Sequence, residues 1–557
     1  MFLNRPRSAI ALVVVGFVVE LFFTTQISTA RAATSSAKDQ APYRVLAKVF
    51  QEKLSEKRGN GQFDDDGDEP PTIPKLTKTL SKLASNQQTF KGADGMFYEA
   101  YQRTHAGDDI NDISVSGRAQ RTATRLAAIA EALYACELIE IVEHPEISTS
   151  NGDDEDSVLH NKEILLNTTL GSKSGKSDDA LEKGSDLSLS VLVIYEPHYT
   201  GGMGLEHGNL LSLTQSSSNP SSSESENRMQ QLCKGGRLLV ILGNNPSLSN
   251  TRRIEILDET PRRVKISSGL VTNEVASVQP ELYKEAGNLL TLLEPQLRKY
   301  NESSVHFVGH SLAGGVANLA ATILDGSIPM PKQKMKGKSR RKKRRKGSEQ
   351  LEPIERDESD SLSMNKTPDV EEDENQEETI VKPLNGLGRA RSSALTLGSP
   401  PCLSSNVVAA FCTSFIYGDD IVCRTTKDSI SRLESRIEKT MHRGFVGKKL
   451  GWMSDTLSLT VSSLQSHAHG SEGEEAKLAI PGSAFLVKPR KLGGKCSIHE
   501  VGNMKKGGMR EALFFQLNDI LLSKSMFKHT TLNSYIQGLG RTQLRSVTND
   551  ENLGDYD

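Results

Sequence analysis

The stretch VHFVGHSLAGG at 305–315 constrains the fold of this chain more than any other feature, because an apolar run there ends in a serine and continues into very small residues. A buried strand that turns sharply into a helix has this pattern, and it needs tiny residues two positions before and after the serine. Gly309 meets that requirement, and Ala313 is larger than the usual glycine by one methyl group. The pattern predicts a nucleophile elbow that presents the hydroxyl of Ser311; the alternative is an ordinary strand-to-helix connection.

The segments around this turn alternate between strand-like and helical patterns. Apolar, strand-like runs lie at 187–194, 237–242, 305–308, 394–397 and 414–417, and helical periodicity is clearest at 280–299 and 314–324. Such alternation favours a mostly parallel sheet with helices on its faces. We therefore expect an α/β fold of the α/β-hydrolase type, with functional residues at the carboxyl ends of strands.

Outside the α/β pattern, the chain consists of helical segments and low-complexity segments that differ in composition. Apolar residues at helical spacing within 43–54, 76–101 and 118–141 predict a helical N-terminal extension. Long, low-complexity insertions interrupt the α/β pattern, and the largest is strongly charged, which is typical of disorder. The predicted division is a signal peptide at 1–32, a helical region at 33–150, a polar linker at 151–184, a first core part at 185–328, a charged insertion at 329–384, a second core part at 385–540 and a tail at 541–557.

The N-terminus resembles a targeting segment. Arg5 and Arg7 precede an apolar run, and the small-x-small sequence at 30–32 offers a cleavage site, as in secretory signal peptides. An uncleaved membrane anchor is the alternative, but Glu20 would lie inside such a helix. We expect delivery to the secretory pathway, either secreted or in the lumen of the endoplasmic reticulum.

Charge and cysteine content indicate few other partners. The 68 basic and 70 acidic residues nearly balance, so the whole protein has no reason to bind nucleic acid. A basic run at 338–346 fits a disordered loop; the alternatives are an anionic-lipid patch and a nuclear signal. A nuclear interaction protein that uses this run conflicts with the secretory leader. Six cysteines without a CxxC pair indicate no zinc site and leave one or two disulfides open. No metal or cofactor is expected.

Residues downstream of the serine supply the partners that a nucleophile needs. A serine hydroxyl requires a histidine to take its proton and a carboxylate to orient that histidine. In this fold the chain order is serine, then the acid, then histidine. A strand-like run enters Asp419 and Asp420, and His529 follows an amphipathic segment, so the order is satisfied.

Four segments in this order resemble the class 3, or fungal-type, lipases, and most closely the sn-1-specific diacylglycerol lipases. The segments are VHFVGHSLAGGVANLAATIL, SALTLGSPP, YGDDIVCR, and LAIPGSAFLV with LLSKSMFKHTTLNSYIQGL. The resemblance covers about 187–539 and implies that Ser311 is the nucleophile, Asp420 the acid and His529 the base. Cys423 replaces the proline that is usual in the family.

The resemblance also implies an oxyanion hole and a substrate. The family usually has Arg-Gly-Thr after the strand that supplies one donor, where this chain has ILGNN at 241–245. Because the donors are backbone N–H groups, the hole need not be lost. Asn244 and Leu312 are the expected donors. The implied activity is that of a serine esterase that hydrolyses acyl esters of glycerolipids, di- or triacylglycerol, while it binds a membrane or lipid-droplet surface transiently. A catalytically inactive scaffold or regulator with the lipase fold is the alternative.

A lid is a further implication of the resemblance. The matching region is 245–268, where Ile254, Ile256 and Leu257 lie among charged side chains. This mixture suits a segment that covers an apolar pocket and then meets a lipid surface. An ordinary surface segment with one buried face has the same periodicity.

Overall fold

The computed structural model describes residues 37–59, 71–85, 115–144, 163–170, 187–197, 236–266, 275–331, 392–407, 409–442, 477–489, 496–501 and 519–542. The predicted signal peptide at 1–32, nearly all of the predicted charged insertion and the end of the tail lie outside these residues. No helix among the described residues combines the length and the apolar composition that crossing a bilayer requires.

An eight-stranded sheet lies at the centre of the fold, in the order β1-β2-β3-β6-β7-β9-β11-β12. The five strands from β3 to β11 run parallel, and β1, β2 and β12 pair antiparallel at the two edges. The strands are β1 Glu163–Leu170, β2 Leu189–Glu196, β3 Arg237–Asn244, β6 Ser304–His310, β7 Ser392–Leu397, β9 Cys412–Tyr417, β11 Ser483–Pro489 and β12 Cys496–Val501.

A smaller antiparallel sheet has the order β10-β8-β5-β4. Its strands are β4 Arg262–Lys265, β5 Val275–Val278, β8 Leu403–Ser404 and β10 Leu478–Ala479. The helices are α1 Ala37–Gly59, α2 at 73–85, α3 Val115–Glu143, α4 Asn250–Leu257, α5 Pro280–Lys299, α6 Ser311–Asp325, α7 Lys427–His442 and α8 Leu532–Gly540.

Helices cover both faces of the central sheet. Along β3, Leu238 and Val240 pack with α5 and α6, whereas Leu239 and Ile241 pack with α3 and α8. This alternation follows from the two-residue period of a strand, and burial on both faces explains why β3 is an unbroken apolar run. A mostly parallel sheet covered in this way fits an α/β-hydrolase-like fold.

The N-terminal helices pack against the segments that carry the predicted site. Apolar side chains of α1 and α2 form one cluster with Ile254 of α4, Ile421, helix α7 and Met526. Lys53 of α1 also forms an ion pair with Asp258, directly after α4. Helix α3 packs against β3 and β6, on the face of the sheet opposite to α5 and α6. The N-terminal extension is therefore part of the same packed body as the sheet.

Residues 151–184, predicted as a polar linker, contain a strand, so the linker prediction is wrong over 163–170. Strand β1 pairs antiparallel with β2 through most of its length. An edge strand exposes much of its surface and tolerates polar residues such as Asn167 and the threonines after it. The composition of this strand is therefore as polar as that of a linker. The described cysteines, five of the six in the sequence, are buried and free, so no disulfide joins them.

The first residues of the charged insertion are anchored to the core. The hydroxyl of Tyr283 donates to the carbonyl oxygen of Pro329, and Pro331 lies so close to Gly287 that a β-carbon there would be 2.1 Å from its ring. Beyond this anchor, composition predicts no contribution to the core.

We expect deletion of 332–378 to leave the protein soluble, with a melting temperature within about 3 °C of wild type, because loop length changes closure entropy only slightly. Differential scanning fluorimetry measures this. Insoluble expression, or a much larger fall in melting temperature, would show that the insertion contributes to the fold.

Candidate active site

Ser311 occupies a strained position between β6 and α6. Its φ of 55° is the one positive value of any described residue other than glycine. Such backbone costs about 1–3 kcal/mol and persists where the surroundings enforce it. A β-carbon on Gly309 would lie 2.7 Å from the carbonyl oxygen of Ala313, so strand and helix meet as an elbow requires.

The hydroxyl of Ser311 makes no hydrogen bond to the described part of the protein. The residue is 1% exposed, and its Oγ is a buried polar atom without a partner. Buried hydroxyls are nearly always hydrogen-bonded, so an exception calls for an explanation. The arrangement leaves this oxygen available to a base or to a ligand.

Asn244, expected to be an oxyanion donor, is engaged in other contacts. Its backbone N–H and its side-chain amide both donate to Oε1 of Glu143, each at 3.0 Å. The amide also donates to the carbonyl oxygen of His310 at 2.7 Å, and Oδ1 accepts from the N–H of Ala313 at 3.0 Å. Asn244 thus ties β3 to both sides of the elbow, and its backbone N–H already has an acceptor. Leu312, the other expected donor, is buried in the first turn of α6.

Glu143, at the end of α3, is a site residue that the sequence did not indicate, since it lies outside the segments that carry the resemblance. Burial raises its pKa, but hydrogen bonds from His310 and Asn244 outweigh burial, so the pKa is lowered. The carboxylate is therefore ionised at neutral pH. His310 itself lies between this carboxylate and the backbone of Thr530, with its Nε2 2.8 Å from that carbonyl oxygen.

Asp420 follows β9 at the carboxyl end of the sheet and is 1% exposed. Its Oδ1 accepts from the N–H of Val422 at 2.9 Å, and its Oδ2 accepts from the hydroxyl of Tyr535 at 2.5 Å. Burial raises the pKa of Asp420 to about 6, although both hydrogen bonds act to lower it. Nothing in the sequence pattern singled out Tyr535 as a partner of this carboxylate.

His529 lies beside the same turn but faces a different partner. Its Nδ1 accepts from the backbone N–H of Asp419 at 3.0 Å, and its ring meets the ring of Tyr417 edge-on, with centroids 4.8 Å apart. A β-carbon on Gly418 would lie 2.6 Å from that nitrogen, so the glycine makes room for the imidazole. An Nδ1 that accepts leaves the proton of neutral histidine on Nε2.

The three predicted triad residues thus come to one end of the sheet, where Asp420 and His529 hold hydrogen bonds with other groups. The oxygens of Asp420 accept from Val422 and Tyr535, whereas Nδ1 of His529 accepts from Asp419. A serine base needs the opposite tautomer, with Nδ1–H donated to the acid and Nε2 free to accept.

A crevice too narrow to admit a water molecule lies beside the acid and the base. Arg253, Ile254 and Leu257 of α4 form one wall, and Ile421, Val422 and Phe527 are among the residues of the other. Ile254, Ile256 and Leu257 are buried. Their burial is expected whether 245–268 is a lid or an ordinary surface segment with one buried face. The described residues contain no cluster of three or more histidine, cysteine or acidic side chains suited to a metal ion.

Comparisons with known proteins add little to this picture. No family model and no curated protein sequence matches the chain. A structure of the Rhizomucor miehei lipase propeptide complex matches 53% of this chain and 62% of that one, at 15% identity and a TM-score of 0.25. The R. miehei triacylglyceride lipase matches at 14% identity over 72% of its chain, with a TM-score of 0.25, and lipase II from Rhizopus niveus at 14% over 73%, with 0.24; each covers 53% of this chain.

The match therefore spans less than two thirds of the propeptide complex chain. The class assigned to the fold rests on the described sheet, its covering helices and the elbow at Ser311, which together fit an α/β-hydrolase-like protein.

Proposed function

We propose that this chain is a serine hydrolase that cleaves carboxylic esters of glycerolipids through an acyl-enzyme. One observation carries the proposal: Ser311 is held at a positive φ between a buried strand and a helix, and its buried hydroxyl has no partner among the described residues. Strain and an unsatisfied polar group together mark a site that is maintained for chemistry.

In the proposed mechanism, Oγ of Ser311 attacks the ester carbonyl carbon while its proton passes to Nε2 of His529. Collapse of the tetrahedral intermediate breaks the ester C–O bond, and the imidazolium returns the proton to the leaving alkoxide. Water then repeats the sequence on the acyl-enzyme and releases a carboxylic acid. The N–H of Leu312 is the proposed donor to the oxyanion, since the first turn of a helix leaves such groups free of intrahelical partners.

This mechanism requires His529 to exchange partners. Its Nδ1 must leave the N–H of Asp419 and donate a proton to Asp420, whose carboxylate is buried on the adjacent residue. Asn244 becomes a second oxyanion donor only if Glu143 withdraws from its N–H. We propose that both changes accompany substrate binding.

The second candidate function is a non-catalytic scaffold, favoured by the two contacts just described. Labelling with a fluorophosphonate probe discriminates between the two, because the probe forms a covalent bond only with an activated serine. We expect wild type to be labelled. A folded wild type that resists labelling, alone and with lipid micelles, would favour the scaffold.

The leader and the substrate class lead to a proposal about location. We propose that the protein enters the secretory pathway and meets a membrane or lipid-droplet surface transiently. Expression of the full chain with a C-terminal tag, followed by protease protection of microsomes, tests the route. A tag and core that remain exposed to protease on the cytosolic side would exclude it.

Replacement of Tyr535 by phenylalanine should alter the pH dependence of the proposed reaction. Asp420 must be ionised to hold His529, and the hydroxyl of Tyr535 helps to keep its pKa down to about 6. Loss of that hydrogen bond raises the pKa further, so the acid limb of kcat/KM should move to higher pH while activity near pH 9 changes little. Kinetics between pH 5 and pH 9 on a soluble ester measure this.

Tyr283→Phe is the control, because it removes a hydroxyl hydrogen bond to Pro329, away from Asp420. If Tyr535→Phe leaves the acid limb at the same pH, Tyr535 does not control the pKa of the catalytic acid.

A further inference from the structure

His310 links the two segments that carry the proposed nucleophile and the proposed base. It ends β6, directly before Ser311, and is 4% exposed. Its Nε2 lies 2.8 Å from the carbonyl oxygen of Thr530, the residue after His529. A carbonyl oxygen only accepts, so Nε2 carries a proton and donates it. One hydrogen bond therefore joins the sequence neighbours of Ser311 and His529 across 220 residues of chain.

The segment that carries His529 is built of turns, so its place in the site depends on specific contacts. Residues 524–530 form consecutive turns before α8. Hydrogen bonds inside this segment, such as that from the N–H of His529 to the carbonyl oxygen of Ser525, fix its shape but not its distance from the elbow. The N–H of Asp419 ties the segment to the acid side of the site. The bond from His310 ties it to the elbow.

Contacts on the other ring nitrogen of His310 hold the imidazole in one orientation. Its Nδ1 faces Oε1 of Glu143 at 3.4 Å. The amide nitrogen of Asn244 lies 3.5 Å from Nδ1, but its two N–H groups donate to Oε1 of Glu143 at 3.0 Å and to the carbonyl oxygen of His310 at 2.7 Å. The ring of Tyr535 meets the imidazole edge-on, with centroids 5.8 Å apart. Because these groups surround the ring, Nε2 stays directed at Thr530.

We infer that His310 is a positioning residue: by donating from Nε2 to Thr530, it sets the spacing between Oγ of Ser311 and the imidazole of His529. The inference rests on the proposed function. In that mechanism His529 exchanges the partner of its Nδ1, so its ring must turn while its backbone keeps its place. Displacement of a reacting group by about 1 Å can cost about 100-fold in rate. A backbone anchor one residue from the base prevents such a displacement.

Two substitutions of His310 separate the roles of its ring nitrogens. The side-chain amide of glutamine reaches as far from the backbone as Nε2, and that of asparagine only as far as Nδ1. On a soluble ester, His310→Gln should keep kcat within about 3-fold of wild type, whereas His310→Asn should lower kcat by about 10- to 100-fold at unchanged KM. Rates are divided by the fraction of active sites, taken from the end point of fluorophosphonate labelling, so that unfolded protein does not count as slow enzyme.

His306→Asn is the matched control. His306 is also a buried histidine of β6, but its ring bonds with the hydroxyls of Ser304 and Ser393, toward the amino end of the sheet. This variant should lose stability as His310→Asn does, yet keep its kcat. If His310→Asn does not fold, His310→Leu takes its place, because leucine fills a similar volume without a donor.

Three kinetic results would overturn the inference. Equal kcat in wild type and in both His310 variants would mean that the contact with Thr530 does not position the base. A loss in His310→Gln as large as that in His310→Asn, or larger, would assign the effect to Nδ1 and Glu143. A loss in His306→Asn equal to that in His310→Asn would attribute it to general damage to β6.

Amide hydrogen exchange, measured by mass spectrometry, separates this inference from the proposed function because it needs no turnover. We expect His310→Asn to speed exchange in peptides that cover 525–531 by at least about 5-fold, and His310→Gln to leave it as in wild type, since loss of the anchor favours local opening. If wild type hydrolyses no ester but this difference persists, the hydrolase proposal fails and the tie between elbow and base segment stands. If exchange there is the same in all three proteins, the inference fails.

Discussion

Ser311→Ala should lower ester hydrolysis by at least about 10⁴-fold and abolish fluorophosphonate labelling, because no other oxygen at the elbow replaces the nucleophile. The same change should not destabilise the protein. The hydroxyl has no hydrogen-bond partner among the described residues, and its removal relieves a buried unsatisfied group, so the free energy of unfolding should stay constant or rise by about 1 kcal/mol. Turnover of a soluble ester and denaturant unfolding measure the two effects separately.

Ser392→Ala is the matched control. Ser392 is also buried, on the strand next to β6, and its hydroxyl donates to the carbonyl oxygen of Ala321. This variant should lose some stability and keep its kcat, the opposite of Ser311→Ala. Retained hydrolysis in Ser311→Ala, with correct folding shown by circular dichroism, would refute the assignment of the nucleophile.

Asp420→Asn is expected to lower kcat by about 10⁴-fold, as loss of the acid does in triads generally, because the imidazole then lacks the group that fixes its tautomer and stabilises its cation. Both structural hydrogen-bond partners of Asp420, Val422 and Tyr535, are donors. An amide offers only one acceptor to these two donors, so a modest loss of stability should accompany the loss of activity. Single-turnover kinetics measure the loss of activity, and thermal unfolding measures the loss of stability.

Asp419→Asn tests the register of the turn. Asp419 contributes its backbone N–H to His529, and this group survives the substitution. We expect a change in kcat of less than about 10-fold. If Asp419→Asn were the more damaging variant, the acid would be Asp419, and the position assigned to Asp420 by resemblance would be one residue off.

The N-terminal helices bear on both experiments, since they support the segments that carry the proposed residues. Helix α3 supplies Glu143 to the elbow, and α1 and α2 pack on the residues that flank Asp420 and His529. Variants should therefore be made in a chain that keeps these helices. Resemblance alone, which begins near residue 187, gave them no role.

The sequence by itself determined five of the eight strands of the central sheet and the two helices around the elbow. All five predicted strands and both helices around the elbow are present, and the helix over Pro280–Lys299 has its predicted bounds. Residues at its two ends define where that helix begins and ends: the side chain of Gln279 caps its N-terminus, a proline occupies its first turn, and basic residues lie in its last turn. Periodicity and capping act over a few residues, so they are legible in the order of amino acids alone.

Only the tertiary structure decided which groups meet at the site. Asn244 contacts Glu143 across 101 residues of sequence, and Asp420 contacts Tyr535 across 115. No local pattern encodes such contacts, because the choice among competing donors and acceptors is made by the packing of whole helices and strands, where an unpaired buried group costs more than any local preference gains.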